Sequence, residues 1–471
     1  MPSISRSVCA VVGCAAAVLL SSLGPTQRVL AQIEPPSGGA SPQVTERETT
    51  ERPALLPAPT DELLAELEAV YKDLHAQPEL AMQERRTAGI AASWLREHGF
   101  EVTENLGGTG VVGLLRNGEG ATVLLRADMD ALPMKEETGL TYASTQVFTD
   151  NAGRPTPVAH SCGHDMHVTW LMGAARILAE NRDKWRGTVM AVFQPAEETG
   201  EGARAMLNDG MVERFPKPDI VLGQHVMPMP AGHVGTRAGL LLSMSDTWEV
   251  TLFGRGGHGS SPQSTVDPVV MGAAAVLRLQ TIVAREIGMN DSAVVTVGAF
   301  QAGSSGNIIP DQAVLRINVR TVDEQVRQTV LAAIKRIVHA EAQASAAPQP
   351  PTFTVQNRFP PTYNDAAATR KLVQALVNRF DAERVHEIPP ASASEDFSEF
   401  ARAWDVPAVY WTVGGTDPQL YAQAKQAGRL NEIPSNHSPQ FAPVIHPTLE
   451  TGIEAMLAAA GAWLVPAETR P

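Results

Sequence analysis

Trp248-Glu249-Val250-Thr251-Leu252-Phe253 reads as a strand, and the elements that follow it decide the fold. Residues 268–284 read as a helix, and residues 294–300 and 314–319 as two more strands. Residues 325–338 place Val326, Val330, Ile334 and Ile337 on one helical face, and residues 353–355 close as a strand. The order βαββαβ is that of a split-βαβ sandwich.

Outward from this segment the rhythm is different. On its N-terminal side, Leu63, Leu64, Leu67, Val70, Tyr71 and Leu74 repeat at helical spacing, and a second helix runs to about His98 and stops at Gly99. Short apolar strands at 111–115, 123–126, 189–193 and 220–222 then alternate with helices at 164–180 and 202–208, and the alternation resumes at Asp365. Continuous apolar strands between helices imply a largely parallel sheet covered on both faces. The expected fold is therefore α/β: a mainly parallel catalytic domain (60–244 and 356–466) interrupted by an inserted α+β lid or dimerisation domain (245–355). There are no internal repeats.

The first 59 residues stand apart. Arg6 precedes an apolar run over residues 8–20, followed by small and polar residues and Val29-Leu30-Ala31, the order of a secretory signal with cleavage after Ala31. A short buried helix and a lipoprotein site at Cys14 are the alternatives, the apolar run before Cys14 being short for the latter. Residues 32–59, with Pro35, Pro36, Pro42, Pro53, Pro57 and Pro59, read as a disordered linker. The expectation is export to a periplasm or the exterior.

The chain has 471 residues and a formal charge of −14. Removing residues 1–31 takes Arg6 and Arg28 and no acid, leaving −16. So acidic a chain offers no compositional case for nucleic acid or an anionic membrane as partner, and no late stretch approaches the roughly 20 uninterrupted apolar residues of a membrane span. Cys9 and Cys14 would leave with the signal, so Cys162 is a lone thiol, either buried and inert or occupied.

Metal-type donors cluster in four segments: Arg126-Ala-Asp128-Met-Asp130-Ala-Leu-Pro133, His160-Ser-Cys162-Gly-His164-Asp165-Met-His167, Gln194-Pro-Ala-Glu197-Glu198 and Gly223-Gln-His225-Val226. Asn436-His437-Ser-Pro lies far downstream. Most follow strand ends, which converge on one crevice in an open α/β sheet. Cys162 sits where a helix begins, which favours a thiolate. A thiolate, three imidazoles and a carboxylate suit zinc and tolerate manganese, nickel or cobalt. Adjacent residues of an extended segment point opposite ways, so one of Glu197 and Glu198 can ligate while the other faces substrate as general base. Glu197 could instead support a ligand from behind. His167, one turn beyond His164, is expected to pack behind the site.

Eight stretches, R-A-D-M-D-A-L-P, C-G-H-D-M-H, F-Q-P-A-E-E, G-Q-H-V, G-R-G-G-H-G-S-S-P, N-I-I-P-D, E-D-F and N-H-S-P, run in order from about residue 60 to 460. In them the chain resembles the aminoacylase and carboxypeptidase type of dinuclear metallopeptidase, specifically the hippurate hydrolase and auxin-conjugate amidohydrolase branch. The resemblance implies two divalent ions, zinc or manganese before nickel or cobalt, bridged by Cys162 and completed by His164, Glu198, His225 and His437. It implies Glu197 as the base acting on a metal-activated water, Asp130 as a buttress, and His258 as an oxyanion stabiliser across a homodimer interface in the inserted domain. Asn307 and Arg320 would hold the substrate carboxylate. On the residues alone, Arg320 is equally a strand-end surface arginine and His258 a turn residue. Wider relatives carry a His where this chain has Asp128, and His164 is expected to supply that imidazole. Two divalent ions less a thiolate, a carboxylate and a hydroxide leave a positive site suited to an anionic substrate. The implied activity is amide hydrolysis of hippurate-like N-acyl amino acids, releasing a carboxylic acid and an amino acid. The alternatives are a dipeptidase or carboxypeptidase using the same site, and a non-catalytic metal- or ligand-binding protein.

Overall fold

The computed structural model describes residues 56–149 and 153–466. The expected signal segment, and the expected linker up to residue 55, lie outside the described residues. Packing begins inside the stretch read as linker: Leu56 is buried in the main core, and its carbonyl accepts from Arg379 Nη1 at 2.7 Å. Thr60 then caps helix Asp61–Ala76 by accepting from the Leu63 amide.

The large sheet runs in the order Glu101–Leu106, Gly110–Asn117, Trp185–Gln194, Thr122–Asp128, Ile220–Pro230, Ala408–Thr416, Val234–Thr236, Val385–Glu387. Its four central strands, from Trp185–Gln194 to Ala408–Thr416, are mutually parallel. The sheet is mixed, because Gly110–Asn117 runs antiparallel to both of its neighbours, Glu101–Leu106 and Trp185–Gln194, and Val234–Thr236 runs against Ala408–Thr416.

Side-chain alternation supplies both faces of the centre. Val123, Leu125, Val189, Ala191 and Phe193 join the core under helices His164–Glu180 and Ile445–Trp463, while Leu124, Met190 and Val192 pack with Met206, Phe397 and Phe400 on the opposite side. A strand buried on both faces must be apolar throughout, which is why these strands read as continuous runs.

The inserted segment forms a four-stranded antiparallel sheet in the order Ala293–Ala302, Gln312–Thr321, Met244–Phe253, Thr352–Phe359. Helices Pro268–Leu279 and Glu324–Ala344 cover one face, burying Val250, Leu252, Leu315, Ile317, Val330 and Ile334. Residues of the other parity, among them Ser245, Thr247, Asn318 and Arg320, turn to the cleft described below. The helix expected over 268–284 is two, divided at Gln280. Among the described residues, Pro268–Arg285 alone is long and apolar enough to cross a membrane; here it packs on this sheet.

Candidate metal centre and cleft

Strand register brings the donors together. Asp128 lies opposite Gln194, and Arg126 lies opposite Gly223, so the loop after Gln194 and His225 both stand level with the end of the Asp128 strand. Cys162 and His164 arrive in the turn that opens helix His164–Glu180. Gly163 between them has φ +91°, and a Cβ there would lie 2.4 Å from Val226 Cγ1, so only glycine lets this turn press against the His225 strand. His437, at φ +69°, is fastened through its amide to Ser161 O at 2.8 Å, and the Asn436 side chain bonds Cys162 O and Val226 O.

Cys162, His164 and His225 form one group of donor atoms within 4.8 Å of one another, and Cys162, Glu198 and His437 form a second. The shared Cys162 makes the two groups adjoin. His225 Nδ1 donates to Val226 O at 2.7 Å, leaving its Nε2 lone pair 3.4 Å from Cys162 Sγ. Burial, with His167 nearby, holds His225 well below the usual imidazole range, which keeps it neutral. His437 Nε2 is 3.2 Å from Glu198 Oε1.

These residues fit a pair of divalent cations. His164 is wholly buried, and neither of its nitrogens makes a hydrogen bond of good geometry. Burial alone would lower its pKa, but Asp128, Asp130 and Glu198 outweigh burial and lift it to about 10. A site that would hold a proton so firmly is one that wants positive charge. The thiolate expected from the helix N-terminus is corrected: burial and the carboxylates of Glu198, Glu197 and Asp128 push the Cys162 thiol well up. Those charges outweigh the helix end, and a bound cation would be needed to deprotonate Cys162.

The extended reading of Glu197 and Glu198 is also corrected. Both lie in a turn, and both face His164, whose Nε2 is 4.0 Å from Glu197 Oε2 and 3.9 Å from Glu198 Oε1. Asp130 grips this turn from below, accepting from the Glu197 and Glu198 amides at 3.0 Å each, and its Oδ1 is 3.3 Å from His164 Nδ1. Burial, then Glu395, Glu198 and Asp396, push Glu197 well above the usual carboxylate range. His167 packs behind: its Nδ1 meets Asp128 Oδ1 at 2.5 Å and its Nε2 accepts from Val226 N, so neither nitrogen is free for a metal.

Behind the donors lies a buried network that sequence reading missed. Arg126 donates to Gln194, Asp128, Glu395 and Asp396, and Tyr410 Oη donates to Glu395 at 2.7 Å. Glu395 and Asp396 come from the E-D-F stretch, about 270 residues away, and only their presence in a matching motif hinted at a role. Against the cost of burial, His164, Arg126 and His167 hold Asp128 well below the carboxylate range. Replacing Arg126 by Leu strands three buried carboxylates, and urea unfolding should show a loss of about 3–5 kcal/mol.

The donors open into a cleft of about 500 Å³ between the strand ends and the inserted sheet. Leu241, Leu242, Phe359 and Ile388 form apolar wall, while Asn318, Arg320 and Asn357 supply polar groups from the inserted sheet. Arg320 hydrogen-bonds Ser392 O and, at 3.1 Å, Ser394 Oγ. His258 and Asn307 do not line this cleft. Both are exposed: His258 lies on the two-stranded ladder of Gly257–His258 against Ile308–Ile309, where its Nδ1 meets Ser260, and Asn307 lies in the turn just before Ile308, where its Oδ1 accepts from Ser305.

Two adjoining donor groups joined at one thiol, with a further carboxylate beside them and a cleft above, define a dinuclear metal hydrolase of the amidohydrolase and peptidase class. Residues 124–433 match peptidase family M20/M25/M40, and the chain belongs to that family. Hippurate hydrolase of Campylobacter jejuni is 38% identical over 344 residues, covering 72% of this chain and 86% of that protein. Thermostable carboxypeptidase 1 of Saccharolobus solfataricus is 34% identical over 350 residues, covering 73% and 84%. The crystal structure of the Bacillus subtilis YXEP protein, a dinuclear metal binding peptidase from the M20 family, is similar with a TM-score of 0.64 at 27% identity, covering 85% of this chain and 99% of that one.

Proposed function

We propose that this protein hydrolyses the amide bond of small N-acyl amino acids, with Glu197 as general base. The observation that carries the reading is one cleft of about 500 Å³ lined by Cys162 and His225 of one donor group, Glu198 and His437 of the other, and Glu197, with Arg320 in its wall. Cys162 would be shared by two ions, with His164, Glu198, His225 and His437 completing the set; zinc or manganese fits these donors best, and nickel or cobalt also fits. Bound there, such ions would supply Lewis acidity toward the scissile carbonyl and make a water acidic enough to react at neutral pH. Glu197 takes the water's proton and delivers it to the leaving amine. Asp130 keeps the turn and His164 in place.

The amino-acid carboxylate pairs with Arg320, and the acyl group lies against Leu241, Leu242, Phe359 and Ile388. A dipeptide would set a charged ammonium against that apolar wall, which is why an N-acyl amino acid is favoured over the peptide substrates that a carboxypeptidase relative suggests. Replacing Arg320 by Ala should raise KM for an N-acyl amino acid by about 10–100-fold, the loss of a charge-assisted pair. KM for the corresponding amide-capped substrate should stay put; an equal rise for both would remove Arg320 from carboxylate binding.

The reading includes a homodimer through the inserted domain, which would bring His258 and Asn307 to a partner's cleft to meet the oxyanion and the carboxylate. It is supported by exposed Val270, Leu277, Val294 and Phe300 on that domain and by strand Ala293–Ala302 at the edge of its sheet. Light scattering should give twice the chain mass, and a fully active monomer would count against it. Export completes the reading, resting on the pattern of residues 6–31; N-terminal sequencing of the exported chain should begin at Gln32.

A further inference from the structure

Three consecutive amides at the start of the turn that carries Glu197 and Glu198 are each taken by a buried carboxylate. Asp130 accepts the second and third. The first, Ala196 N, donates at 2.8 Å to Glu84 Oε1, a residue 112 positions earlier in the chain. Glu84 is wholly buried and directly precedes helix Arg85–Glu97. The same oxygen accepts from the Met82 amide at 2.9 Å, and its other oxygen accepts from the Thr109 hydroxyl at 2.5 Å.

The two residues whose amides Glu84 holds share an unusual backbone. Ala196 has φ +49° and Met82 has φ +62°, in the left-handed region where a side chain with a Cβ is disfavoured. Such a conformation persists when its surroundings over-determine it. On the carbonyl side, Ala196 O accepts from the Glu201 and Gly202 amides, and a Cβ on Gly202 would lie 1.5 Å from Pro195 O, so the turn closes tightly on itself. On the amide side, the anchor at Ala196 is Glu84. Ala196 is where the chain leaves strand Trp185–Gln194 and bends so that both following carboxylates face His164.

We infer that Glu84 is a positioning residue for the reaction: it fixes Ala196 in its left-handed conformation and thereby aims the Glu197 carboxylate into the cleft. The inference rests on the reading of Glu197 as base. It acts through geometry, as a hydrogen-bond acceptor, and needs no change of charge on Glu84 during turnover. A merely structural Glu84 would affect how much protein folds, whereas a positioning Glu84 sets the rate of each folded, metal-loaded site.

The test compares Glu84→Ala, Glu84→Gln and Glu197→Gln in the full chain, each loaded with zinc or manganese, with kcat normalised to bound metal. Glu84→Ala should lower kcat by about 100-fold, the effect of misplacing a reacting group by about 1 Å, with KM and two metals per chain unchanged. Glu84→Gln, whose side-chain carbonyl can still accept from the Ala196 and Met82 amides, should recover to within about 3-fold of the parent. If Glu84→Ala yields no folded protein, Glu84→Asp decides: a carboxylate one methylene shorter cannot span Ala196 and Thr109, and kcat should fall at least about 10-fold. Full activity per metal in Glu84→Ala or Glu84→Asp, alongside an inactive Glu197→Gln, overturns the positioning role alone. A Glu84→Gln variant as slow as Glu84→Ala overturns the acceptor argument. Turnover surviving in Glu197→Gln overturns the base reading and this inference with it.

Discussion

Glu197→Gln should bind its two metal ions and lose nearly all turnover, with kcat falling by roughly 10²–10⁴-fold, the usual contribution of a positioned general base. Glu197 belongs to neither of the two donor groups joined at Cys162. Its carboxylate nonetheless faces the same cleft and is within 4.0 Å of His164 Nε2. Gln keeps the size of the side chain and removes only the ability to take a proton, so the variant separates base chemistry from metal binding. Because Asp130 holds the turn through the backbone amides of Glu197 and Glu198, the substitution should leave the loop in place. Metal content by elemental analysis, beside steady-state kinetics, checks both halves. A variant that loses metal and activity together would make Glu197 a ligand.

The second large effect is expected from Cys162→Ala. Cys162 is common to both donor groups, so its removal weakens two sites at once. The variant should hold fewer than two metal ions per chain and lose at least about 100-fold in activity, more than loss of a residue that only supports a ligand. His437→Ala removes a donor from one group only and offers the contrast: it should spare the other ion. Equal loss of both ions from each variant would argue against a shared thiol.

The parts of this protein legible in its sequence were those whose signal is local. The βαββαβ order at residues 244–359 showed through the spacing of apolar residues, and the donors showed because Asp128, Glu198 and His225 follow or end apolar strands, Cys162 and His164 stand at a helix start, and His437 lies in a matching motif. What was illegible depends on register and distance. Nothing local distinguishes the strand at 110–117, antiparallel to its neighbour, from a parallel one, since both are buried and apolar. Glu197 and Glu198 looked extended because they follow a strand, yet Ala196 bends the chain first, held by a carboxylate from far upstream. Arg126 in a motif rich in acids gave no sign that its partners would be Glu395 and Asp396. The helix-end argument for a Cys162 thiolate failed for the same reason: it is opposed by burial of the thiol and by carboxylates from two other segments, Glu197 and Glu198 from one and Asp128 from the other.

The most direct test of the central claim is amino-acid release by the purified protein from N-acyl amino acids such as N-benzoylglycine, with dipeptides alongside. It should be run as prepared, after chelation, and after zinc or manganese is restored. Release from the N-acyl substrates that disappears with the chelator and returns with metal is the predicted result. Protein that carries two metal ions per chain and releases nothing from any of these substrates would contradict it.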